Sequence, residues 1–123
     1  MNNTKAKLSA KKERFLRDQL PVRLGNLASN LARIESISRH PELSDAAARV
    51  LTESKFFIEW TAADANLTQQ VELLELQRTL ARWELVWDEI WNDPEKLSRI
   101  AAEAREWSNN VLELSGLLHS STR

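Results

Sequence analysis

Three acidic residues are the first candidates for chemistry in this chain. Glu84 and Asp88 stand four apart, which on a helix puts both carboxylates on one face, beside a row of tryptophans. Glu35 falls within an apolar stripe, close to Leu31. Paired carboxylates can divide the roles of general acid and base, or bind a metal. A buried carboxylate must otherwise find a cation, here Arg105 or Arg78, or shift its pKa upward. Di-iron bundles need Glu residues plus Glu-x-x-His on facing helices. The two histidines, His40 and His119, fall at a turn and in a tail, and that motif is absent. Without cysteine there is no thiolate ligand, thiol nucleophile or disulfide. Gly25 and Gly116 are isolated and form no nucleotide-binding loop. These residues predict ordinary ion pairs between helices, with no catalytic residue, no metal and no cofactor. The expected protein is not an enzyme.

Large apolar side chains outside the expected core are the second candidates. Phe56 and Trp60 stand four apart on the flank of one predicted helix, among Arg49, Glu53 and Glu59. Leu67, Val71, Leu74, Ala81 and Leu85 form a second stripe on the next helix, rotated by about 120–150° from its main seam. Either that helix touches two neighbours, or Leu8, Phe15 and Leu16 pack over it, or the stripe is an oligomer interface. Trp83, Trp87 and Trp91 recur every four residues and, with Trp107, either fill the interior or line a pocket. Trp91, at a helix end, stands out among them. The candidate partner interface is Phe56, Trp60, Leu67, Val71, Leu74, Leu85 and Trp91, meeting another protein or a second copy in a two-fold dimer.

Charge supplies the third candidate. The net charge is −1, but residues 1–40 hold nine Lys/Arg against three Asp/Glu (+6) and residues 41–123 hold eight against fifteen (−7). Lys5, Lys7, Lys11, Lys12, Arg14 and Arg17 are candidate polyanion contacts on a basic, partly helical arm over residues 1–19. A nucleic-acid-associated regulator is the alternative to a protein-binding module. An acidic body would repel a polyanion unless the arm projects away from it.

The elements that position these residues are helices. Two glycines, three prolines and no tyrosine leave little material for hairpins, and strong helix formers dominate. The pattern predicts an all-α, antiparallel up-down bundle of four helices over 20–118, with a tail at 119–123. The arm becomes helical near Ser9, and Pro21 then starts a helix or kinks a continuous one. Helix A runs from about 21 to 38 with Leu20, Leu24, Leu27, Leu31 and Ile34 inward, and helix B from about 42 to 64. Helix C starts at Asn66 or Thr68 and ends near Asn92, and helix D starts at Asp93-Pro94. Leu73, Leu76, Leu80, Trp83, Trp87 and Ile90 on helix C, with Leu97, Ile100, Ala104, Trp107, Val111, Leu114 and Leu118 on helix D, predict two long helices meeting along one seam. No apolar run is long enough to span a bilayer, and no signal-peptide pattern opens the chain, which leads to a cytoplasmic assignment.

Ser54-Lys55-Phe56-Phe57-Ile58-Glu59-Trp60-Thr61 and the run from Leu76 to Trp91 resemble segments of small uncharacterised helical proteins from cyanobacteria. The resemblance covers residues 20–118. It rests on packing residues, implies a cytoplasmic bacterial protein, and supplies neither an activity nor a site.

Overall fold

The computed structural model describes residues 3–116. They form six α-helices, α1 (Asn3–Arg17), α2 (Leu20–Ile37), α3 (Ser44–Ala62), α4 (Leu67–Leu85), α5 (Trp87–Trp91) and α6 (Pro94–Ser115), with a 3₁₀ turn at Pro41–Leu43 before α3. There is no strand among the described residues, so the all-α expectation holds. The count exceeds the expected four for two reasons. The first segment is a helix of its own from Asn3, not from near Ser9, and helix C is broken in two. The expected tail at 119–123, with His119, lies outside the described residues, as does Leu118 of the helix D stripe.

Local chemistry sets most boundaries. Gln19 is extended and Pro21 sits in the first turn of α2, so the chain breaks there and does not continue as one kinked helix. Asn66 caps α4 through a capping box: its side chain accepts from Gln69 N at 2.8 Å, and Gln69 Oε1 accepts from Asn66 N at 2.9 Å. Asp93 accepts from the backbone of Glu95 and Lys96, with Pro94 in the first turn of α6. Gly116 ends α6 at φ 77, a left-handed cap that glycine adopts without strain. The break at Val86 has no such signal. Its ψ of 27 turns the chain, its N–H reaches Trp83 O at 3.3 Å, and α5 then lies against α6 with Ile90 and Trp91 buried. Burying each of those side chains is worth about 1.5–3 kcal/mol, enough to offset an interrupted turn.

The core takes Leu24, Leu27, Leu31 and Ile34 from α2, and Leu73, Leu76, Leu80 and Trp83 from α4. From α3 come Val50, Leu51, Phe57 and Ile58, and from α6 Leu97, Ala104 and Val111. The expected seam between helices C and D needs correction. Its residues are largely buried, but the close neighbour of α6 is α2, and the backbones of α4 and α6 approach far less. Side-chain size explains this. Ala28 and Ala104 are buried where α2 meets α6, and Ser108 Oγ donates to Ala28 O at 2.8 Å, a contact that only small residues permit. The leucines and tryptophan of α4 fill more space and hold its axis further off. No helix among the described residues is long and apolar enough to cross a membrane.

Candidate functional site

The acidic residues do not converge. Glu35 is mostly buried and pairs with Arg105 (Oε2 to Nη1, 3.5 Å), one of the two cations expected for it. Glu84 is exposed and accepts from Lys55 Nζ of α3 at 2.6 Å, while Asp88 lies exposed on the far side of the Val86 break. Among the described residues no three His, Asp or Glu side chains are grouped so as to hold a metal ion.

The seven candidate interface residues separate into three places. Trp91 is 8% exposed and belongs to the core, with its ring tilted against Trp87 at 5.4 Å. It is therefore no surface anchor. The turn at Val86 swings it inward, which periodicity along a straight helix does not foresee.

Leu67, Val71, Leu74 and Leu85 stay together on the outer face of α4, exposed by 75%, 55%, 55% and 85%. At 3.6 residues per turn they stand opposite Leu73, Leu76, Leu80 and Trp83. Neither covering contact expected for this stripe exists. The residues are too exposed to meet a second neighbour, and α1, with Phe15, lies against α3 instead. With half-buried Ala81 and exposed Arg78 the row alternates in steps of four and three, the spacing of a coiled-coil seam, over about 27 Å. Arg78 pairs within the helix with Glu75 at 3.5 Å.

Phe56 and Trp60 occupy the third place, with the basic segment. Phe15 of α1 is 5% exposed and stacks on Phe57 at 4.2 Å. Trp60 packs against Phe15 at 5.7 Å and against Phe56 at 5.5 Å. Docking α1 this way opens a groove of about 660 Å³ between α1, α2 and α3. Its floor includes Leu8, Val50, Phe56 and Trp60, and its rim carries Lys7, Lys11, Arg33 and Arg49. Glu53, the one acidic residue lining it, is held by Lys11 and by Asn30 Nδ2 at 2.9 Å. Burial pushes the Glu53 carboxyl up. Hydrogen bonds from Lys11 and Asn30 and the charges of Lys11 and Arg33 outweigh that and hold its pKa below the ordinary glutamate range.

The polyanion candidates are thus not on a projecting arm. Lys11 is committed to Glu53, while Lys5, Lys7, Lys12, Arg14 and Arg17 are exposed around the helix. By helical register Lys5 and Lys12 fall on one flank, and Lys7 and Arg14 on the other. Sequence reasoning missed the Lys11–Glu53–Asn30 cluster and the buried Arg23, whose Nη1 donates to Asp64 Oδ2 at 3.0 Å. These pairs join residues 23 to 42 positions apart, and no periodicity marks them. No protein-family model matches this chain, and no curated protein or solved structure shows significant similarity to it.

Proposed function

We propose that this chain is a non-enzymatic helical-bundle protein that self-associates through the outer face of α4. In this reading α2, α3, α4 and α6 make up an up-down bundle, with α1 laid across it and α5 as the bent end of α4. The observation that carries it is the row of four aliphatic side chains, each more than half exposed, on the face of α4 opposite the core. Contiguous apolar surface of this kind is uncommon on monomers. The row also suits a copy of itself. Two α4 helices paired antiparallel about the level of Leu76 bring Leu67 opposite Leu85 and Val71 opposite Ala81. Each Arg78 then stands near the level of Glu75 of the partner subunit, so the one charge in the seam meets an opposite one. A closed two-fold contact results. The bacterial, cytoplasmic setting implied by the resemblance accords with this reading.

Light scattering and sedimentation test it. Wild type is expected at twice 14.1 kDa, and Leu74→Glu at the monomer mass with unchanged helical circular dichroism. A wild-type monomer at about 100 μM, a concentration that populates dimers even of weak affinity, sinks the proposal. The alternative, a nucleic-acid-associated regulator, draws on the exposed Lys5, Lys12, Arg14 and Arg17. It requires salt-sensitive DNA or RNA binding that disappears when those four are changed to Gln, and no binding at low salt ends it.

A further inference from the structure

The groove between α1, α2 and α3 combines two properties that rarely coincide by accident. Its floor is apolar, with Leu8 and the stacked pair Phe56 and Trp60. Its rim is cationic: Lys7, Lys11, Arg33 and Arg49 against Glu53 alone, four positive charges and one negative, or +3 on a chain whose net charge is −1. Glu53 is already satisfied by Lys11 and Asn30. No carboxylate among the described residues lies within 4.0 Å of Lys7, Arg33 or Arg49. Against the burial that raises it, the Glu53 carboxyl is held low by hydrogen bonds from Lys11 and Asn30 and by the charges of Lys11 and Arg33. At about 660 Å³ the space lies within the range of small-molecule sites.

From this charge complementarity we propose that the groove binds a single-chain anionic amphiphile, an alkyl or aryl body carrying a carboxylate or phosphate. The body lies on Phe56, Trp60 and Leu8, and excludes water from the floor. The headgroup meets Arg33 and Arg49, whose planar guanidinium groups match carboxylate and phosphate oxygens in pairs, with Lys7 adding charge. A nucleic acid fits less well, because the cations ring a concavity and do not track a backbone. The site is independent of the α4 face, so its failure leaves the self-association reading untouched.

Isothermal titration calorimetry on the full chain decides it, with dodecyl phosphate and dodecanoate below their micellar concentrations. Inorganic phosphate and monomeric dodecyl maltoside probe the two halves separately. Saturable one-to-one binding is expected for both anionic amphiphiles, at least tenfold tighter than for either probe. Arg33→Gln/Arg49→Gln is expected to weaken it at least tenfold, with circular dichroism unchanged. Phe56→Ser, which leaves all four cations in place, is expected to weaken the amphiphiles and not phosphate. The proposal is overturned by no saturable binding, by phosphate or dodecyl maltoside binding as tightly as the anionic amphiphiles, or by affinity indifferent to the Arg33/Arg49 change. An acidic peptide binding with that charge dependence where dodecyl phosphate does not would overturn it too.

Discussion

The two faces of α4 carry the same kinds of residue and meet opposite fates. Leu73, Leu76, Leu80 and Trp83 are buried to 3% exposure or less, while Leu67, Val71, Leu74 and Leu85 are more than half exposed. Composition does not separate them, and neither does helix propensity, since both sets sit on one 19-residue helix. What separates them is the arrangement of the neighbours. α3 and α6 close over one side, α2 packs against those two helices, and α1 is drawn to α3 by the Phe15–Phe57 stack. An apolar stripe is therefore an offer of burial, taken up only where another segment arrives.

The widest gap between the faces is expected in stability. Leu76→Ala removes a fully buried side chain and should cost about 2–5 kcal/mol in urea unfolding. Leu74→Ala should stay within about 0.5 kcal/mol in dilute solution, where no partner covers it. Comparable losses at the two positions would mean that the outer face is covered after all. A smaller effect acts on both faces together. Asn66→Ala removes the capping box of α4 and should cost about 1 kcal/mol, fraying the turn that carries Leu67 and Val71. Amide exchange should quicken first at residues 67–71, and the mass of a self-associated form should fall before the core melts. Uniform acceleration along α4 would show that the cap does not govern the outer face separately.

The smallest expected effect comes from outside α4 and bounds the comparison. Glu53 has a folded pKa below its ordinary value. Its ionised form therefore contributes stability above the ordinary glutamate range, and that contribution is lost as pH falls through the folded pKa. Wild type should lose a few tenths of a kcal/mol more than Glu53→Gln between about pH 6 and pH 3, because the Lys11 partner is part-exposed. Self-association through α4 should not respond. Identical pH profiles for the two proteins would remove Glu53 from the docking of α1.

Where a feature depends on local hydrogen bonds or on period, the sequence is a good guide. Leu24, Leu27, Leu31 and Ile34 point inward, and Asn66 and Asp93 cap their helices. Other features depend on packing between distant segments. The Val86 turn carries neither proline nor glycine, and it moved Trp91 from a candidate surface to the core. Phe56 and Trp60 were legible as aromatics off the main stripe, but not as the floor beneath Lys7 and Lys11.

The sequence by itself determined that this chain is helical, where most helices begin, and that α4 has two apolar faces. Those properties follow from propensity, capping and a 3.6-residue period, all of which act within a few residues. Only the tertiary structure decided that α6 packs chiefly on α2, that α1 joins α3, and that one face of α4 stays bare. Such outcomes turn on side-chain volumes and charges that meet across separations such as the 42 residues between Lys11 and Glu53. A helix can specify what it presents, but its partners specify what is covered.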